Sequence, residues 1–120
     1  NEEGERREVN VNTLDSYKYV NVGFVKIDVE GVEDKVIKGG IKTIKTNKPV
    51  LLIEMSWKDG NTTRCLNLFN FLLGIGYQPL IKIKNGFAHC SNKIFNLSVF
   101  NKNLIFVPFG HKFMNNLRIK

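Results

Sequence analysis

Two apolar runs that each end in carboxylates constrain this chain more than any other feature: Phe24-Val25-Lys26-Ile27-Asp28-Val29-Glu30 and Pro49-Val50-Leu51-Leu52-Ile53-Glu54. The first is apolar on both faces until its end, the pattern of an interior parallel strand over 24–29. The second opens at a proline, which forbids continuation of a preceding helix, and predicts a strand over 50–55. In an open parallel sheet, ligands bind outside the carboxyl ends of the strands, so Asp28, Glu30 and Glu54 are expected to converge on one crevice.

The segment between the two runs reads as a crossover. Gly31 permits a tight turn, Glu33 and Asp34 fall in a first helical turn where negative charge is favoured, and Val32, Val36 and Ile37 supply a buried stripe. Gly39-Gly40 end that helix, and a short helical piece over 41–45 leads to Pro49. The length suits a right-handed strand, helix, strand unit. Beyond it, 62–73 is an amphipathic helix with Cys65, Leu68, Phe69 and Leu72 on one stripe and Asn67 and Asn70 opposite. Strands are expected over 78–83 and 103–108, as antiparallel neighbours at the sheet edge. A long connection over 84–99, with Asn85-Gly86 as a turn signal, joins them.

At 120 residues and 42% hydrophobic, the chain is long enough for one domain. Residues 9–110 are read as that domain, 1–8 as a charged disordered tail or loop remnant, and 111–120 as a basic tail. The longest apolar stretch is interrupted by Gly74, Gly76 and Pro79, short of the ~20 residues of a membrane span. Cys65 and Cys90 have no metal-binding or disulfide-scaffold spacing, and both are read as reduced packing residues; localisation is left open, with the cytoplasm favoured. No zinc is expected at His89 and Cys90. The net charge of +7 is uneven, since residues 60–120 hold eight Lys or Arg and no acid. These cations are scattered singly, with no Arg-rich stripe, so nucleic acid is not an expected partner. The sequons at Asn61 and Asn96 are matches that an Asn-rich chain generates by chance.

Taken in order, Thr13-Leu14-Asp15, Lys26-Ile27-Asp28-Val29-Glu30-Gly31-Val32-Glu33, Val36-Ile37-Lys38-Gly39-Gly40, Pro49 to Glu54, Gly76-Tyr77 and Asn103-Leu104-Ile105-Phe106-Val107-Pro108 resemble the FkbM family of S-adenosylmethionine-dependent O-methyltransferases over residues 9–108. The resemblance implies a Rossmann-like class I methyltransferase fold, an α/β sheet in the order 3-2-1-4-5-7-6. This chain would hold its strands four to seven, parallel with an antiparallel last strand. It also implies methyl transfer from S-adenosylmethionine to a hydroxyl of a sugar or natural-product-like acceptor. The glycine-rich loop after strand one and the acid ending strand two have no counterpart, because Gly74-Ile75-Gly76 follows a helix. The chain therefore reads as the carboxy-terminal half of a methyltransferase domain, with the cofactor-binding residues expected upstream.

Methyl transfer to an alcohol is an in-line displacement that must align oxygen, methyl and sulfur and remove a proton of high pKa. Asp28 and Glu30 are the candidate catalytic groups, as base or as holders of the acceptor hydroxyl. Glu54, with Trp57 as an apolar or sugar-stacking wall and Glu33 at the mouth, is the candidate substrate-binding set. Against these stand plainer readings: Asp28 as a cap of the following helix, Glu33 and Asp34 as helix-start acids, and Trp57 as a packed aromatic. A further alternative gathers Asp28, Glu30 and Glu54 around a hard divalent cation. The main expectation is of no metal.

The rival to a truncated enzyme is a non-catalytic binding or assembly module that keeps the same half-fold. Without strand one, the outer edge of 24–29 is bare and apolar, which predicts that the isolated chain self-associates or aggregates through that edge or needs the missing half.

Overall fold

The computed structural model describes residues 8, 11–29, 31–57, 60–96, 101–112 and 114. Apart from Glu8, the expected tail over 1–8 lies outside the described residues, as does most of the basic tail over 111–120. A 3-10 turn at Leu14–Tyr17 precedes β1 (Phe24–Ile27), α1 (Glu33–Gly39), α2 (Ile41–Asn47) and β2 (Val50–Ser56). The second half supplies α3 (Thr62–Gly74), β3 (Tyr77–Ile83), β4 (Gly86–His89), a 3-10 turn at Asn92–Asn96 and β5 (Asn101–Pro108). The five strands form one sheet in the order β1-β2-β5-β3-β4. Only β1 and β2 are parallel neighbours, with Phe24 opposite Val50 and Ile27 opposite Ile53. β5 runs antiparallel to both β2 and β3, so it is the reversed strand between them.

Alternation along the strands sorts the core. Leu51, Ile53 and Met55 of β2 share one face with Ile27, Leu104 and Phe106, and there they meet Ile37 of α1, Ile44 of α2 and Cys65, Leu68, Phe69 and Leu72 of α3. Each buried Leu or Phe of that stripe contributes on the order of 1.5–3 kcal/mol, so α3 is held by its apolar face rather than by capping. Its first residue indeed follows an Asn61 that makes no side-chain cap. Phe69 meets Phe106 edge-on, at 5.8 Å between centroids and 71° between planes. The opposite sheet face carries a smaller cluster of Val50, Leu80 and Val107. All three helices thus pack on one face, whereas the apolar pattern of 24–29 predicted cover on both.

Three further expectations change. The strand at 24–29 is shorter, four residues ending at Ile27, and it is an edge strand in which Phe24 is 57% exposed. The connection over 84–99 contains β4, paired with β3 from Leu80↔His89 to Ile83↔Gly86. Lys84-Asn85 is therefore a two-residue hairpin loop, and β4 rather than the β3–β5 pair forms that edge of the sheet. Of the predicted stripe, Ile37 is buried and Val36 packs against the core, whereas Val32, just before α1, is exposed and Glu33 is buried in its place.

Close approach explains Gly39-Gly40. A Cβ on Gly40 would stand 2.8 Å from Leu14 Cδ2, and one on Gly39 would stand 3.2 Å from Thr13 Cβ, so the turn at 14–17 docks onto the α1–α2 junction. The same docking brings Asp15 to the start of α2. Its carboxylate accepts from Lys42 N at 3.1 Å, Thr43 N at 2.8 Å and Thr43 Oγ1 at 2.8 Å, so a residue well upstream of the helix caps it.

Candidate active site

Asp28 is the first residue after β1, and Glu54 lies within β2. Ile27 and Ile53 are the last residues in register across the parallel pair, and Asp28 and Glu54 follow them directly in the sequence. Both residues lie one step beyond side chains of the helix-packed face, which sends Glu54 to the opposite face. Asp28 is exposed and Glu54 half-buried, with Glu54 opposite Asn103 of β5. α1 starts at Glu33 with Val32, not Asp28, at its N-cap position. Glu30 lies outside the described residues.

Glu33 sits deeper. Its side chain is fully buried, Oε2 accepts from the Gly31 N–H at 2.8 Å, and Oε1 accepts from Arg64 Nη1 at 3.0 Å. Gly31 has φ +83°, a left-handed conformation suited to glycine, and that conformation aims its N–H back at the helix start. Arg64 also reaches Asp34 Oδ1 at 3.3 Å. The neighbouring Cys65 thiol donates to Ser56 C=O at 3.3 Å. The segments leaving β1 and β2 at their carboxyl ends are therefore tied together across α1 and α3.

Burial on its own lowers the Arg64 pKa. The hydrogen bond with Glu33 and the surrounding negative charge outweigh it, so the guanidinium is held above its ordinary value. Burial pushes the Cys65 thiol up, against the opposing pull of Arg64.

Trp57 is 2% exposed, and its ring meets Phe95 edge-on at 5.0 Å and 89°. This places it in the core beneath the end of β2. Beside the Arg64–Glu33 pair, a groove of about 430 Å³ lies between α1, the start of α2 and α3, with Ile37, Ile41, Leu68 and Phe71 as its apolar lining and Asp34, Lys38, Arg64 and Asn67 as its polar lining. Among the described residues, no group of three His, Cys, Asp or Glu side chains gathers in a way that could hold a metal ion. No helix among them is long and apolar enough to cross a membrane.

Sequence reading brought Asp28, Glu54 and Glu33 to attention and missed Arg64. A signal existed. A cation in the first turn of a helix opposes the helix dipole, so Arg64 implied an acidic partner nearby, although not which one.

Neither the curated proteins nor the solved structures give a significant match to the chain. A family model does. The Methyltransferase FkbM domain matches residues 1–79 of 120, from the start of the chain through Thr13-Leu14-Asp15, both strand-end carboxylate motifs and α3, and stops inside β3. The last motif, Asn103 to Pro108, falls outside the match, but the elements that carry Asp28, Glu33 and Glu54 lie within it. On that match, the chain belongs to the FkbM methyltransferase family.

Proposed function

We propose that the chain serves S-adenosylmethionine-dependent O-methylation of a hydroxyl on a sugar or natural-product-like acceptor. The observation that carries this reading is that Asp28 and Glu54 directly follow Ile27 and Ile53, the last pair in register between the parallel strands β1 and β2. The sheet order supports it, since β1, β2, β5 and β3 stand as strands four, five, seven and six of the implied fold would stand.

The donor chemistry fits one end of the cofactor. Exposed Asp28 and half-buried Glu54 suit a cationic sulfonium and a hydroxyl acceptor, and the space beside Gly31 is open, with nothing within 4 Å of a Cβ placed there. When bound, S-adenosylmethionine supplies an electrophilic methyl group. In this reading Asp28, with Glu30 next to it, accepts the proton of the acceptor hydroxyl, and Glu54 orients that hydroxyl from the neighbouring strand. Glu33 keeps the β1–α1 turn in place from below rather than touching the acceptor, and Trp57 supports the end of β2.

One observation favours a second reading, a binding or assembly module of the same half-fold. Gly74 and Gly76 follow a helix, and among the described residues no glycine-rich turn follows a strand. Calorimetric titration with S-adenosylhomocysteine, together with transfer of labelled methyl to a panel of glycans and polyols, separates the two. Binding, with transfer that falls roughly 10²–10⁴-fold in Asp28→Asn while binding persists, is the expected result. Absence of binding and transfer would favour the module.

A further inference from the structure

The first turn of α3 reaches the segments that leave both carboxylate-bearing strands. After β1, Val32 N–H donates to Val29 C=O at 3.2 Å, across a turn in which Gly31 has φ +83°. A second bond, from Gly31 N–H to Glu33 Oε2 at 2.8 Å, ties that turn to the start of α1. After β2, Ser56 C=O accepts from the Cys65 thiol at 3.3 Å and Trp57 C=O accepts from the Thr62 hydroxyl at 3.2 Å. Between Thr62 and Cys65 in the sequence, Arg64 reaches α1, with Nη1 3.0 Å from Glu33 Oε1 and 3.3 Å from Asp34 Oδ1.

Of these side chains, Arg64 has the most consequence for Asp28. A wholly buried carboxylate stays ionised only while its oxygens are occupied, and those of Glu33 are held by Arg64 and by the Gly31 N–H. Without the guanidinium, Glu33 takes up a proton or turns toward water. Either way the Gly31 N–H loses a charged acceptor, the stronger kind. Arg64 also keeps a pose that its own donors do not favour, because Nε is buried and among the described residues has no hydrogen-bond partner. An unsatisfied buried N–H is costly, so the bonds to Glu33 and Asp34 dictate the pose.

We propose that Arg64 is a positioning residue for the methyl transfer: acting through Glu33, it fixes the turn that follows Asp28. Because Cys65 and Thr62 anchor the same helical turn to the end of β2, Asp28 and Glu54 are held in one spacing. Arg64 itself touches neither acceptor nor cofactor. Transfer to a hydroxyl is sensitive to such spacing, since a misplacement of about 1 Å can cost on the order of 100-fold in rate. The use made of the spacing rests on the methyltransferase reading, whereas the control of the turn by Arg64 does not.

Arg64→Met, Glu33→Met and the double variant E33M/R64M test it in the whole chain. Amide exchange reads the turn, and methyl transfer per S-adenosylhomocysteine-binding site reads the chemistry. In R64M the Gly31 amide is expected to exchange at least about tenfold faster, while the Lys42 amide, held by Asp15 on α2, stays within about twofold. Both amides exchange by local opening, which a loss of global stability alone does not speed. Transfer per binding site is expected to fall about 10–100-fold. A residue that only stabilised the fold would lower binding sites and transfer together and leave their ratio unchanged. With Glu33 already replaced, R64M should change either reading by less than about twofold, and the double variant guards against misfolding because it leaves no buried charge unpaired. Unchanged Gly31 exchange in R64M, an unchanged ratio, or additive effects in the double variant overturn the proposal. A chain that neither binds S-adenosylhomocysteine nor transfers methyl overturns the methyltransferase reading instead, and Gly31 exchange still decides whether Arg64 governs the turn.

Discussion

Arg64, in the first turn of α3, closes onto Glu33, the first residue of α1, with Nη1 3.0 Å from Oε1 and the Glu33 carboxylate wholly removed from solvent. The pair converts two helix starts into one unit. A fully buried carboxylate is tolerable only while its oxygens are occupied, and here one is held by Arg64 and the other by the Gly31 N–H.

Arg64→Met is therefore expected to destabilise the protein by about 3 kcal/mol, because it leaves the buried Glu33 charge with a single backbone donor. Arg64 keeps 20% of its side-chain exposure, so the loss falls toward the lower part of the range for buried pairs. Glu33→Gln, which retains the shape and one acceptor, is expected to cost less. Urea denaturation of the two variants measures the difference, and equal losses would mean that the charge of Glu33 is not what Arg64 compensates.

Asp15 provides a pH-dependent contribution. Burial of its carboxylate alone would raise the pKa, but the backbone bonds from Thr43 and Lys42 and the Thr43 hydroxyl outweigh it, and the folded value lies below the ordinary one. A carboxyl that binds its proton more weakly when folded stabilises the protein above the unfolded pKa of ~3.9, and that stabilisation disappears as pH falls through the folded value. Asp15→Asn should remove this dependence, so native and variant stabilities converge at acid pH and separate at pH 7. Denaturation curves at the two pH values check it.

Gly40 and Leu14 are coupled by space. Gly40→Ala would set a methyl 2.8 Å from Leu14 Cδ2 and 3.1 Å from its Cβ, so the turn at 14–17 must move, at a cost of about 1–3 kcal/mol despite the better helix propensity of alanine. In a Leu14→Ala background the same change should cost much less. A double-mutant cycle by thermal denaturation that came out additive would remove steric contact as the reason for this glycine.

Cys90 should be a poor nucleophile. Burial pushes its thiol from the usual value up to about 11, which leaves about 100-fold less thiolate at pH 8 than an unperturbed cysteine has. Titration with a thiol reagent at pH 8 is expected to modify Cys90 slowly in the folded protein and rapidly after denaturation. Because the unfolded thiol ionises near 8.5, the folded state should also lose stability as pH rises from there through about 11.

Much of the secondary structure was legible because its causes are local. The stripe Cys65, Leu68, Phe69 and Leu72 recurs at helical spacing, and all four side chains are buried on α3. Proline at 49 opens β2, and glycine at 76 stands just before β3. β4 escaped because Gly86-Phe87-Ala88-His89 lacks the β-branched alternation of a strand, and only the Asn85-Gly86 turn signal marked it.

By itself, the sequence determined where carboxylates meet strand ends, since apolar runs, prolines and glycines act within a few residues of themselves. The tertiary structure alone decided what each carboxylate does. Asp28 remained at the exposed end of β1, Glu33 was drawn inside by an arginine 31 positions away, and Asp15 became the cap of a helix that begins 26 positions after it. The role of a charged side chain depends on the dielectric around it and on the partners that fill its hydrogen bonds, and both come from segments that meet only when the sheet and its helices pack.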